Sequence, residues 1–159
     1  MFYGCTSLTS APELPATELS LDCYYAMFYG CTSLTEAPEL PATKLDVECY
    51  SYMFENCTGL TKTPKLPATE LAEKCYFYMF RNCTSLTECM EQLPAKKIAK
   101  FCYESMFENC IGLTKTPKLP AKRLFAGCYR DMFKDCSNLL EVSDLPAKKM
   151  VYECYAGMF

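Results

Sequence analysis

Apolar and polar positions repeat along this chain with a period close to 26 residues. The frame M-F-x-x-C-x-x-L is followed by L-P-A, an apolar residue and C-Y. A fixed period of this length predicts a solenoid, in which each unit buries its apolar face against its neighbours. We expect one repeat array over residues 1–159, cut from a longer chain. Its units begin near Met1, Met27, Met53, Met79, Met106 and Met132, with a partial unit at Met158.

One part of each unit predicts a short helix. In "PATELAEKCYFYMFRN" (67–82), Leu71, Cys75 and Met79 are spaced four residues apart, and Thr69 suits the helix N-cap. Two residues after each Met-Phe, only Gly, Asn or Asp occurs, and these residues tolerate the left-handed conformation past a helix end. This column contains Gly4, Gly30, Asn56, Asn82, Asn109 and Asp135.

The stretch "TSLT" (6–9) and its copies predict a short strand. An invariant Leu lies between small polar residues, which is typical of a strand with one buried face. Proline in the following "APELPA" lacks a backbone donor and favours a loop. The predicted fold class is therefore an α/β solenoid of about six 26-residue units, each with a short parallel β-strand, a proline loop and a short helix. The one additional residue, in "ECMEQLP" (88–94), is expected to bulge from a loop without disturbing the stack.

Charged residues alternate in sign from unit to unit in several columns. Opposite charges on neighbouring coils attract, so we expect these columns to pair across the stack. One such column contains Ser10, Glu36, Lys62, Glu88, Lys115 and Glu141, and a second contains Tyr3, Tyr29, Glu55, Arg81, Glu108 and Lys134.

The block F-x-x-C-x-x-L resembles the BspA-type leucine-rich repeat, whose unit often reads "IGxxAFxxCxSLxxIxIP". Phe28, Cys31, Ser33 and Leu34 match the Phe, Cys, Ser and Leu of that unit, and Cys23 lies at its core Ile position. The resemblance covers the whole chain, with a longer loop and a second cysteine per unit as departures. It implies a right-handed leucine-rich-repeat-like coil stack in an extracellular or cell-surface protein. It further implies adhesion or binding to a protein or glycan on a host or neighbouring cell.

Composition and charge argue against two classes of protein, those that bind nucleic acid and those that span a membrane. The net charge is −3, with 4 basic and 10 acidic side chains in residues 1–78 and 12 and 9 in residues 79–159. This balance gives no reason to expect nucleic acid as a partner, because nucleic-acid binding needs a basic face. No apolar run approaches the length of a membrane span, so we expect no transmembrane segment in this chain.

The 13 cysteines leave two interpretations open. They are a stack of small buried thiols, or some of them form disulfides between coils. Metal binding is disfavoured because the chain has no histidine and no close cysteine pair, so we expect no cofactor. Cys89, in the irregular loop, is the candidate exposed thiol. The two predicted core columns contain Cys5, Cys31, Cys57, Cys83, Cys110 and Cys136, and Cys23, Cys49, Cys75, Cys102, Cys128 and Cys154.

No catalytic constellation breaks the repeat, so we expect no enzyme activity. The leading hypothesis is binding through an extended strand face, since repeat surfaces commonly bind proteins. Its alternative is a structural role, in which copies stack end to end into an extracellular filament. The candidate binding face contains Ser7, Thr9, Ser33, Thr35, Thr61, Ser85, Thr87 and Thr114, and the candidate aromatic patch contains Tyr25, Tyr52 and Tyr78.

Overall fold

The computed structural model describes all residues, 1–159, as six stacked coils. We number them from the Met-Phe dipeptides: coil 1 (1–26), coil 2 (27–52), coil 3 (53–78), coil 4 (79–105), coil 5 (106–131) and coil 6 (132–157). The solenoid architecture predicted from the repeat is thus observed. Regular secondary structure is limited to strands β1 (Glu18–Leu19) and β2 (Lys44–Leu45), which pair in parallel with Glu18 opposite Lys44. Isolated parallel bridges, such as Glu70 to Lys97, continue this ladder up the stack.

The prediction of a short helix is wrong, because residues 67–82 contain no helix. Residues 73–82 and their equivalents form a run of turns, which we call the turn segment of each coil. Within it, alternate N–H groups donate three residues back, as Met79 does to Tyr76 (3.3 Å). The remaining N–H groups donate to the next coil, as Tyr76 does to Cys102 (3.0 Å). The segment therefore binds its neighbour as a strand would, which an α-helix cannot do because its N–H groups are used internally.

Left-handed residues recur every fourth position along each turn segment. Along residues 73–82 they are Lys74, Tyr78 and Asn82, with φ between 55° and 61°. Their spacing gives two inward side chains followed by two outward ones, and Cys75, Tyr76, Met79 and Phe80 are all fully buried. Hydrogen bonds between equivalent segments, such as Tyr76 to Cys102 and Phe80 to Met106, then stack each inward side chain on its equivalent in the next coil.

The predicted "TSLT" strand is also displaced in the structure. Leu34 is buried between exposed Ser33 and Thr35, as the pattern predicted. However, the backbone turns here, because the N–H of Leu34 donates to Cys31 (3.1 Å) within the same coil. Parallel pairing begins two residues later, at the Glu36–Lys62, Lys62–Glu88 and Lys115–Glu141 bridges.

Aromatic rings form two continuous columns through the core. The phenylalanines of the Met-Phe pairs stack with ring centroids 5.4 to 6.0 Å apart, and the tyrosines that follow Cys stack at 5.6 to 5.9 Å. Offset stacking of this kind adds to the apolar burial of each ring. The extra residue of coil 4 does not interrupt the columns. Pairing resumes at the Gln92–Lys118 bridge, and the N–H of Leu93 donates to Lys118 (3.0 Å).

Candidate functional site: the aromatic patch and the hydroxyl face

The structure brings Tyr25, Tyr52 and Tyr78 together on the outer side of the turn segments. The rings of Tyr25 and Tyr52 are 5.3 Å apart and tilted by 55°, and those of Tyr52 and Tyr78 are 5.3 Å apart and parallel within 3°. Tyr25 is 46% exposed, whereas Tyr52 and Tyr78 are half-buried. The three side chains therefore form one contiguous aromatic surface on coils 1 to 3, which we call the aromatic patch.

Sequence reasoning missed Phe77, which completes this patch. Its ring meets Tyr52 edge-on at 5.3 Å and Tyr78 at 4.2 Å. Phe77 and Tyr25 occupy the first outward position of their turn segments, and Tyr52 and Tyr78 occupy the second. The spacing of C-Y, M-F and C indicates a four-residue period. That period would have placed the first and second outward positions, and so Phe77 and Tyr78, on the same face.

Two cations lie over the rings of the patch. The Arg81 guanidinium is 4.9 Å from the Tyr78 ring centre, and the Lys74 ammonium is 5.7 Å from the Phe77 ring centre. Lys74 also forms an ion pair with Glu48 at 3.0 Å. Burial is the main cause that raises the pKa of Tyr52 to about 12, so its hydroxyl remains a neutral hydrogen-bond donor at alkaline pH as well as at neutral pH.

The predicted Ser/Thr surface, which we call the hydroxyl face, is exposed along coils 1 to 5. Some of its hydroxyls already have partners within the stack. The Thr61 hydroxyl donates to the Thr35 carbonyl (3.3 Å), and the Thr87 hydroxyl donates to the Thr61 carbonyl (3.5 Å). Thr61 and Thr87 therefore offer mainly oxygen lone pairs to a ligand. All eight predicted residues are exposed: Ser7, Thr9, Ser33, Thr35, Thr61, Ser85, Thr87 and Thr114.

All 13 cysteines are free thiols in the structure. In the first column each thiol from Cys31 onwards donates to a Phe carbonyl of the coil before it, as Cys83 does to Phe54 (3.1 Å) and Cys110 to Phe80 (3.0 Å). Burial raises the pKa of Cys57 in the first column and of Cys75 in the second column to about 12. The buried members therefore act as compact apolar groups that also satisfy a backbone acceptor.

Three cysteine positions differ from the prediction. Cys5 and Cys23 were expected in the core, but both are exposed because no coil of this chain lies on their outer side. Cys89 was expected to be exposed, but it is half-buried, and its thiol donates weakly to the Lys115 carbonyl at 3.7 Å. Burial also raises the pKa of Cys89. The bulge of coil 4 thus folds back on the stack.

Charged columns pair between coils as their alternating signs predicted. Arg81 contacts Glu55 (3.3 Å) in the coil before it and Glu108 (3.2 Å) in the coil after it, and Lys134 extends this ladder to Glu108 at 3.6 Å. Lys62 pairs with Glu88 at 3.2 Å. No His, Cys, Asp and Glu side chains form a group that could hold a metal ion.

A sequence model of the BspA type leucine-rich repeat region matches six copies across residues 1–140. The chain belongs to the BspA-type leucine-rich repeat family. The resemblance inferred from Phe28, Cys31, Ser33 and Leu34 is therefore confirmed. Families of this kind are generally binding scaffolds without enzymatic activity, typically associated with surfaces. No curated protein and no solved structure matches the chain.

No helix in the structure is long and apolar enough to cross a membrane.

Proposed function

We propose that this chain is a non-enzymatic module of a cell-surface or secreted protein that binds a protein or glycan on a host or neighbouring cell. The observation that carries this proposal is the aromatic patch, in which four rings and two cations converge on the outside of a regular stack. The hydroxyl face offers a second exposed surface along coils 1 to 5. Its small side chains permit close approach of a partner backbone or sugar.

The aromatic patch occupies positions where the fold itself does not need aromatic rings. Tyr52 and Tyr78 adopt φ values of 60° and 57°, which cost an L-residue roughly 1–2 kcal/mol relative to the right-handed region. Equivalent positions in other coils contain Ala26, Ser105 and Asp131, so the stack forms without a ring there. Tyr and Arg dominate binding hot spots because they combine large contact area with polar groups. Recognition is the function that best accounts for rings at these positions.

The test compares the wild-type chain with the double variant Tyr52→Asn/Tyr78→Asn. Asn tolerates left-handed φ, so the substitution removes the rings without adding backbone strain. Both proteins are applied to arrays of immobilised glycans and of purified extracellular proteins. We expect at least one array member to bind the wild type, and its affinity for the double variant to fall by at least ten-fold.

The control variant is Asp131→Asn, which places the same residue at the equivalent position of coil 5 (φ 51°). It should bind like the wild type. Absence of any bound array member, or equal binding by all three proteins, would overturn the proposal.

The alternative function, a self-assembling structural solenoid, has its own supporting observation. Leu145 and Met150 belong to core columns, yet they are 42% and 55% exposed in coil 6. Their equivalents in coil 5, Leu119 and Leu124, are 3% and 5% exposed. Uncovered core columns favour contact with another coil, whether it belongs to the same chain or to a second copy.

A further inference from the structure

A strip of basic side chains runs up coils 4 to 6 immediately after the Pro-Ala pair of each coil. All of its members are exposed, and two lie in each coil. We call it the basic strip, and it contains Lys96, Lys97, Lys122, Arg123, Lys148 and Lys149.

The register of the coils stacks these side chains in two columns. Lys97 lies opposite Glu70 of coil 3 in a parallel bridge. Just beyond the strip, the N–H of Phe101 donates to Ala126 (3.0 Å) and that of Gly127 donates to Tyr152 (3.1 Å). These bonds keep coils 4, 5 and 6 in the 26-residue register across the strip. Lys97, Arg123 and Lys149 therefore form one column, and Lys96, Lys122 and Lys148 form the other.

The basic strip stacks like charges on neighbouring coils, whereas most other charged columns alternate in sign. The column of Lys97 begins with the pairs Glu18–Lys44 and Glu70–Lys97 and only then becomes uniformly basic. Like-charged neighbours elsewhere extend over two coils only, at Glu13–Glu39 and Asp22–Glu48. Like charges directly opposite each other destabilise a ladder. Three consecutive coils with two cations each thus carry a cost that the rest of the stack largely avoids.

Most of the strip has no carboxylate partner within the chain. Lys97 pairs with Glu70, whereas the other five cations form no ion pair. The Arg123 guanidinium lies over the Phe125 ring at 5.4 Å. Asp144 lines the same open groove as Lys122 without pairing with it. The positive charge of the strip is therefore available to an external anion.

We propose that the basic strip binds a linear acidic polysaccharide, with sulfate or carboxylate groups set against Lys96, Lys122, Arg123 and Lys148. The strip is two residues wide and follows the stack, which matches a narrow chain better than a flat surface. A membrane or a nucleic-acid duplex would also cover neighbouring surface, where Glu18 and Glu70 lie in the same column. The net charge of −3 likewise disfavours nucleic acid.

The first experiment measures heparin binding by the wild type and by Lys96→Thr/Lys122→Thr/Lys148→Thr. Thr occupies the same column in coils 1 to 3 as Thr17, Thr43 and Thr69, so the triple variant extends a sequence the stack already accepts. We expect affinity to fall about ten- to a hundred-fold, since one lysine beside an anionic surface contributes roughly five-fold. Lys44→Thr/Lys62→Thr/Lys65→Thr removes the same charge from coils 2 and 3 and should bind like the wild type.

A second variant separates binding from structure. Arg123→Glu restores alternating charge between Lys97 and Lys149, so it should lower heparin affinity while raising the midpoint of thermal unfolding. Absence of heparin binding by the wild type at physiological salt would overturn the proposal, as would equal loss in both triple variants. Binding to vesicles rich in anionic lipid, or to duplex DNA, as strong as to heparin would also overturn it, because the strip would then recognise anions in general.

Discussion

At the residue scale, the left-handed positions determine the path of each coil. The Gly/Asn/Asp column was predicted to be left-handed, and this is confirmed, with φ between 57° and 69° from Gly4 to Asp135. Two further left-handed columns precede it and were not predicted. They contain side chains such as Glu48, Lys74, Tyr52 and Tyr78, whose composition gives no such signal. Asp22, Gly127, Asp131 and Gly157 in the same columns favour the left-handed region, but they occur only in coils 1, 5 and 6.

Asn82 tests the cost of the left-handed position. Its amide donates to Asn56 (2.8 Å) and accepts from Asn109 (3.0 Å), forming a ladder across coils 3 to 5. Asn82→Gly loses this ladder but retains the backbone freedom, whereas Asn82→Ala loses both. We expect Asn82→Ala to lower the free energy of unfolding by about 1 kcal/mol more than Asn82→Gly. Urea unfolding of both variants measures the difference, and equal values would mean that the ladder alone matters at this site.

The cysteines give a second prediction at this scale. A thiol reagent at mildly alkaline pH should modify Cys5 and Cys23 rapidly in the native chain, because both are exposed. Cys49, whose pKa burial raises to about 11, should remain unmodified with the other buried thiols. Denatured, unreduced protein should yield all 13 thiols. A lower count would demonstrate disulfides. Rapid labelling of more than one thiol in Cys5→Ser/Cys23→Ser would contradict the burial of the remaining columns, since only Cys89 is half-buried outside them.

At the element scale, the sequence indicated where each unit turns but not which backbone groups its N–H groups donate to. The spacing of Leu71, Cys75 and Met79 fits both a 3.6-residue helix and a four-residue turn repeat over so short a stretch. Only the hydrogen bonds between coils distinguish the helix from the turn repeat. Half of the backbone N–H groups in the segment donate to carbonyls of the next coil. The aromatic patch was partly predictable for the same reason. Tyr52 and Tyr78 share a column, whereas Phe77 joins them only under the four-residue period.

The charge ladders predict how stability depends on pH. Burial raises the pKa of Glu104 despite its 2.8 Å ion pair with Arg130. The folded chain therefore retains that proton to higher pH than the unfolded chain, and this contribution to stability is lost as pH rises from about 4.5 through the folded pKa. We expect Glu104→Gln to lose less stability than the wild type between pH 4 and neutrality, measured by urea unfolding.

Glu153 provides a control of opposite sign beside the same arginine. Its hydrogen bonds with Tyr152 and Arg130 lower its pKa, so its contribution is present at neutral pH and is lost as pH falls through the folded pKa. Glu153→Gln should therefore lower the free energy of unfolding more at neutral pH than at acidic pH. If both variants changed the pH profile in the same direction, the burial of Glu104 would not be the cause.

At the scale of the whole molecule, the stack is asymmetric in both chemistry and charge. The aromatic patch lies on coils 1 to 3, where the first half of the chain is net acidic. The basic strip lies on coils 4 to 6, where the second half is net basic. One regular core therefore supports two surfaces of different character. The repeat frame specifies the core, and the variable outward columns distinguish one coil from another.

The uncovered core columns of coil 6 predict end-to-end association of the 159-residue chain. Acidic coils at one end and basic coils at the other favour a head-to-tail arrangement over pairing of like ends. We expect the sedimentation coefficient to increase with protein concentration and electron microscopy to show thin fibres.

Met150→Lys, at a 55% exposed core-column position, should abolish this association. Ile111→Lys, at a 39% exposed position of coil 5, should leave it intact. Short, monodisperse arcs at every concentration would remove the structural alternative and leave binding as the remaining proposal. Further coils joined at either end would cover the same columns, so added repeats should suppress association at that end.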